Sequence, residues 1–499
     1  TLGASSQNFV ISDGPRDLDN ATPANIGTND GFYQSRSNAG YTSIGAELFD
    51  QLYLNATGRL EAASTFGALS NKTFFYPSAD IAWQFSRLPA LNQSKVLSFG
   101  KIRASYGVVG IQPTAYQTST NFVVRTWDDG WGGSLDPSLY GEGSYIQSVN
   151  KGNPYLKPEQ KKEFEIGTDL RFVDDKLAFS LTYYQNKTVD ALINIAQAAS
   201  TGFNSVYTNA GSIQNKGVEL DLSYDFIREK DWGLTASINW TRNRNEVLDL
   251  KGVGSIDLGG TAGISSRAVE GYPLGVLYSI PWLRDSKGDL QLNANGFPIA
   301  DVTSKPIGDP NPDWRGGFSI SLRYKNFSLS ALVEHSQGGV VANGTEAVMI
   351  DYGTAGVTGQ ESTASSDLKN YKGQTITTGT LFRGNIYNFG AGDVALDQSW
   401  YNGLGGWFGN VGEQFLEDAS WTRFRELNLA YNLQSQKLKR LTGLQSVVFE
   451  LSGRNLFLIS HVKGYDPDSN VAGSTSARGV VYFVNPPTRS YLFTLKLNF

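Results

Sequence analysis

The chain contains no cysteine at all, which excludes a disulfide framework, a thiolate nucleophile and any cysteine-ligated metal. Its two histidines, His335 and His461, lie far apart in sequence, so a multi-histidine zinc site is not available. Charged side chains make up only 18% of the residues, and the formal net charge is −5. Such a balance gives no basic footprint for nucleic acid. No run of about 18 apolar residues occurs, which excludes helical membrane spans and leaves weakly hydrophobic, alternating strands as a way to cross a bilayer. There is no glycine-rich phosphate loop and no serine-centred nucleophile elbow. The opening TLGASSQNF has neither an initiator Met nor a signal peptide, so the chain reads as a mature protein or a piece of one.

What is abundant is sheet-forming: aromatic residues are 12%, glycines number 55, and hydrophobic residues are 40%. The last residues, YLFTLKLNF, place Tyr491, Phe493, Leu495, Leu497 and Phe499 on one face and Ser490, Thr494, Lys496 and Asn498 on the other, with Leu492 the one apolar intruder. A period of two with one apolar face indicates a half-buried strand. The pattern recurs in Ile102–Val108 against Lys101, Arg103 and Ser105, and in Phe164–Phe172 against Glu163, Glu165, Asp169 and Arg171. Charge on the second face suits a wet lumen better than a dry sandwich core. Thirteen such strands start near 41, 51, 75, 97, 164, 177, 217, 232, 316, 327, 420, 446 and 490.

Connections after the odd-numbered strands are short and those after the even-numbered ones are generally long, as in outer-membrane barrels with short periplasmic turns and long outer loops. The expected architecture is therefore all-β: a transmembrane antiparallel β-barrel over 41–499, with external loops near 110–163, 189–216, 244–315, 336–419 and 457–489, and with 1–40 as a starting external loop. One segment, Gly271–Leu283, breaks the alternation and is either not a spanning strand or one of a hidden pair. Thirteen is an odd number, and an open edge in hydrocarbon leaves backbone groups unpaired at several kcal/mol each. Closure by strands outside these residues is expected.

Asp466, Asp468 and Asn470 carry oxygens at alternate positions, as calcium loops do, but the glycine and closing glutamate are missing, which favours a solvated turn over structural calcium. Asp285–Asp289 and Asn293–Gly296 read as Asx/Gly turns. Arg454 and Asn455 suit structural pairing or a lumen contact. The pair Asp128 and Asp129 could line a glycosidase-like site, though surface charge accounts for it more simply. Aromatics set among Gly, Asp and Asn are more suggestive: Trp127, Trp131, Trp282, Trp400, Tyr401 and Trp407. Flat rings beside amides and carboxylates suit sugars or peptides, and equally suit loop packing. The ligand-contact candidates are Trp127, Asp128, Asp129, Trp131, Trp400, Tyr401 and Trp407, with no catalytic residue among them.

Several stretches carry a family likeness. NPYLKPEQKKEFEIGTDLRF (153–172), LAFSLTYYQNKTVD (177–190), NAGSIQNKGVELDLSY (209–224), EGYPLGVLYS (270–279) and IGDPNPDWRGGFSISLRYKNFSLS (307–330) resemble the SusC/RagA family of TonB-dependent outer-membrane transporters. So do GRNLFLIS (453–460), YDPDSN (465–470) and PPTRSYLFTLKLNF (486–499). The resemblance implies a barrel of about 22 strands around an N-terminal plug, with the plug and the first strands outside this chain. It implies import of an oligosaccharide or an oligopeptide, powered through the TonB complex and shared with a SusD-like lipoprotein lid. It also implies that Phe499 supplies the signal read by the barrel-assembly machinery. Competing readings are a passive porin, a soluble or surface glycan-binding β-sandwich, and a barrel-borne hydrolase, for which no convergent Ser/His or carboxylate site is visible.

Overall fold

The computed structural model describes residues 2–6, 10–11, 17–20, 26–30, 33–124, 145–261, 263–473 and 477–499. Its centre is one 13-stranded antiparallel sheet in which every strand pairs with its neighbours in chain order. The strands are β1 (Ser37–Leu48), β2 (Leu52–Ala63), β3 (Phe74–Trp83), β4 (Leu97–Ile111), β5 (Glu159–Phe172), β6 (Leu177–Val189) and β7 (Ser212–Arg228). They continue with β8 (Trp232–Asp249), β9 (Trp314–Tyr324), β10 (Phe327–Gln337), β11 (Trp421–Leu433), β12 (Ser446–Ser460) and β13 (Ser490–Asn498). No helix among the described residues is long and apolar enough to cross a membrane.

Solvation of the two faces is inverted relative to a soluble sheet. On β6, Leu181 and Tyr183 are each 38% exposed, while Thr182 and Asn186 on the opposite face are 8% and 7% exposed. Phe493, Leu495 and Leu497 on β13 are likewise exposed. A sandwich would bury the apolar row; here it faces outward, where only lipid satisfies it. The inward face carries charge in cross-strand pairs, directly opposite for Lys101 and Asp169 at 2.8 Å, diagonal for Arg103 and Glu165 at 3.6 Å and for Lys496 and Glu450 at 2.7 Å. Aromatics gather where the short connections turn: Trp232 meets Tyr324 at 4.2 Å between centroids, Phe327 meets Tyr431 at 4.5 Å and Tyr224 meets Phe226 at 4.7 Å. Rings with one wet and one apolar end concentrate at a membrane interface.

Several strands outrun their apolar alternation. β7 and β8 have 17 and 18 residues, against the roughly 9–11 that cross the hydrocarbon. Their far ends, such as Asn243–Arg244–Asn245 on Gly217–Lys216–Asn215, keep the hydrogen-bond ladder without an apolar row. The periodicity disappears there because those residues rise above the lipid, and the sequence therefore placed the strand limits too far inward. For the same reason β1 begins at Ser37, inside the stretch expected to be loop, and Leu2–Ser6 pairs with Ile26–Asp30 as a separate hairpin. Gly271–Leu283 does not span. It contributes Val276–Ser279 to a four-stranded sheet with Ser255–Thr261, Ile264–Val269 and Lys305–Gly308, all within the β8–β9 connection.

Candidate functional site

Three long connections, β8–β9, β10–β11 and β12–β13, fold together at the end of the sheet opposite the short turns. Val340–Asn343 lies between Leu416–Asp418 and Val480–Val481, so the second connection pairs with itself and with the third. The first joins the second through a bridge from Ile280 to Val411, through Trp282 N–H donating to Glu413 Oε2 at 2.8 Å, and through Arg284 to Glu413 at 2.6 Å. Two apolar cores hold the assembly, one around Ile264, Leu277, Trp407 and Val480, the other around Trp282, Phe297, Trp400 and Tyr401.

The loop aromatics expected at a ligand surface are inside these cores. Trp400, Tyr401 and Trp407 are 5%, 6% and 4% exposed. Trp400 packs on Phe297 at 5.3 Å and Trp407 on Tyr482 at 5.7 Å, while the Tyr401 hydroxyl accepts from Asn385 Nδ2 at 2.7 Å. The neighbouring glycines admit the chain's own rings rather than a ligand, since a Cβ on Gly405 would sit 2.3 Å from Trp400 Nε1. All three side chains are packed into the loop cores. Trp127, Asp128, Asp129 and Trp131 lie outside the described residues.

Asp466 sits in a turn, accepting from Asp468 N–H at 2.9 Å, but its carboxylate is buried against arginine rather than solvated. Arg423 Nη2 donates to both Asp466 oxygens, at 2.6 and 2.7 Å, and the two side chains are 3% and 8% exposed. Arg425 continues the network to Glu334 at 2.5 Å and to Asp468 at 3.4 Å, and donates to Asn455 Oδ1 at 3.0 Å. Both guanidiniums lie over Trp421, at 5.2 and 5.7 Å. Asn455 closes the set by donating to Thr488 O, and Arg454 pairs with Glu426 at 3.3 Å, so that dipeptide is structural. The alternation Trp421–Arg423–Arg425 was the available signal: two cations on an inward face demand inward acids.

Above this network lies a cavity of about 850 Å³, lined in part by Arg315, Trp421, Asp468, Asn470, Arg478 and Phe483. Arg315 and Arg478 have no acidic partner among the described residues. Asn470 Oδ1 is a buried acceptor without a hydrogen bond. The cavity thus combines free cationic donors, an unused acceptor and aromatic walls, the composition of a site for a polar organic ligand.

Glu417, which ties the second connection to the third, accepts from Lys463 N–H at 2.9 Å. Burial raises its pKa above the ordinary 4.5, the Lys463 bond opposes the shift, and the charge of Glu346 adds to it. A raised folded value means that ionisation is disfavoured in the folded loops. Their stability should fall as pH climbs from about 4.5 to the folded value and stay level beyond it. Glu417→Gln should remove that slope and make the loops more heat-resistant at neutral pH, as read from tryptophan fluorescence during melting.

Comparisons with known proteins agree with this architecture. The chain is 27% identical over 482 residues to TonB-dependent receptor P3 of Formosa agariphila, covering 89% of this chain and 43% of that protein. It is 25% identical over 449 residues to TonB-dependent receptor SusC of Bacteroides thetaiotaomicron, covering 84% and 40% respectively. It therefore spans less than half the length of these relatives. The RagAB peptide transporter shares the fold, with a TM-score of 0.70 at 21% identity, covering 97% of this chain and 49% of that one. The inverted sheet and its outward apolar rows, with these relatives, place the chain among bacterial outer-membrane barrels rather than soluble sandwiches. A family model described as "TonB dependent receptor-like, beta-barrel" matches residues 2–456, and the chain belongs to that family.

Proposed function

We propose that this chain is a barrel portion of a transporter that imports an oligosaccharide across the outer membrane by a TonB-dependent mechanism. The observation that carries the reading is the polar cavity on the lumen side of an outward-apolar barrel wall, roofed by interlocked loops. Among the described residues β1 and β13 each have one strand partner, and a lipid-exposed edge would leave its backbone groups unsatisfied. The remaining strands and a plug close the wall in this reading, and the TonB complex acts through that other part. A SusD-like lipoprotein covers the loop end, in keeping with the likeness to SusC and RagAB. Arg315 and Arg478 bind cargo through charge-assisted hydrogen bonds, with Trp421 and Phe483 as apolar walls. An oligopeptide is the second reading, favoured by the fold shared with the RagAB peptide transporter.

Depletion of defined oligosaccharide and oligopeptide mixtures by intact cells tests the proposal. Uptake should cease in a strain lacking TonB, and persistence there would establish a passive porin instead. Losing a hydrogen bond to a charged group costs about 1.5–3 kcal/mol, so Arg315→Ala and Arg478→Ala should each raise the half-saturating concentration on the order of tenfold or more.

Phe499 is 81% exposed beyond the end of β13, so its removal sacrifices little packing. As an assembly signal it should nonetheless matter. Deleting Phe499 should lower the amount of inserted transporter while leaving the melting temperature of the inserted fraction unchanged. Equal insertion of truncated and parent proteins would rule out the signalling role.

A further inference from the structure

The connection from β11 to β12 is set apart from the other short ones by an α-helix, the β3–β4 connection having only the 3-10 turn Phe85–Arg87. This α-helix, Gln436–Thr442, is capped by the Ser435 side chain, which accepts from Leu438 N–H at 3.0 Å, and stopped by Gly443 at φ 76°. The helix carries Lys437, Lys439 and Arg440, and no acidic residue occurs from Leu427 to Phe449. None of the three cations forms an ion pair among the described residues. Leu438 and Leu441, three positions apart, share one helix face. Lys437 flanks that face on one side and Lys439 on the other at 100° per residue. Leu441 is 74% exposed.

Position gives this pattern its meaning. The lipid-facing row Leu427–Leu429–Tyr431–Leu433 runs down β11 and ends two residues before Ser435. The ring pair Phe327–Tyr431 marks the membrane interface at the same level. The connection is fastened on both sides, by Asn432 N–H to Asn326 O at 2.9 Å and by Gln445 N–H to Asn498 O at 2.7 Å. The first of these places it beside the Lys325 turn, which adds a further cation. An exposed leucine continuing a lipid-facing row, ringed by unpaired cations, is the arrangement of a helix lying in the headgroup layer.

We propose that residues 434–445 form a binding site for anionic phospholipid headgroups in the leaflet bordering the short connections. Leu438 and Leu441 enter the acyl boundary, and Lys437, Lys439, Arg440 and Lys325 bind headgroup phosphates. The inference needs only the outer-membrane placement and is independent of the cargo carried.

Native mass spectrometry of the purified full-length transporter, offered equal amounts of phosphatidylglycerol and phosphatidylcholine with matched chains, tests it. The parent should retain phosphatidylglycerol in preference. The combined Lys437→Ser, Lys439→Ser and Arg440→Ser variant should lose that preference by on the order of fivefold per cation removed. A variant with Lys437→Arg and Lys439→Arg keeps the charge and should bind as the parent does. Leu441→Ser should weaken retention of both lipids while leaving the preference intact. Heat-modifiable migration confirms that each barrel is folded. An unchanged preference in the serine variant, or an equal loss in the arginine variant, overturns the proposal.

Discussion

Arg423→Leu should free the β12–β13 connection from the barrel wall, with a loss of roughly 3–5 kcal/mol. The cost arises because Asp466 stays where the Arg423 guanidinium put it, buried and now without either of its two short donor contacts. Asp468 keeps Arg425 as a partner, so the damage concentrates at 466. Limited proteolysis of the full-length transporter in detergent should show cleavage within 461–489 accelerated by about two orders of magnitude or more, since each 1.36 kcal/mol is a tenfold change. Replacing both Arg423 and Asp466 with leucine should recover much of the protection, because no unpaired charge then remains buried. An Arg423→Leu variant with the parent's cleavage pattern would show that the pair does not hold this loop.

Trp400→Ala should disorganise the other large connections without disturbing the barrel. Trp400 touches Trp282, Phe297, Tyr371 and Phe389, with centroids 5.3 to 6.1 Å away, and so joins the β8–β9 loop to the β10–β11 loop. Truncating a buried tryptophan costs roughly 3–5 kcal/mol. New protease sites should open in both connections, and heat-modifiable migration of the barrel should be unchanged. Trp400→Phe should recover part of the protection, since a ring still fills the site. Were Trp400→Ala to weaken cargo binding while leaving the loops as resistant as before, the packing role would be wrong and a contact role restored.

How far the sequence could be read depended on whether lipid or protein faced each residue. All thirteen strands of the sheet announce themselves through alternation, because one side chain in two meets hydrocarbon and the next meets a wet interior. The rule lapses above the membrane, where Gln160–Lys162 still pairs with Val108–Gly110 but no apolar row marks the strand. It gives no guidance in the long connections either. Trp400 and Trp407 among glycines suit a ligand platform and a tight core equally well as one-dimensional text; only the packing of rings against Gly405 and Gly344 separates the two. Asp466 was read from its neighbours in sequence, whereas its true partner, Arg423, stands 43 residues away.

The pairing of Val340–Asn343 with both Leu416–Asp418 and Val480–Val481 has a consequence for exchanging specificity between relatives. A chimera that receives a single foreign connection inherits backbone donors and acceptors whose partners remained in the parent, and with them Glu413 or Val411 facing the wrong strand. Residues 250–313, 338–420 and 461–489 therefore transplant as one cassette. The short turns between the strands that carry them remain free to stay with the host.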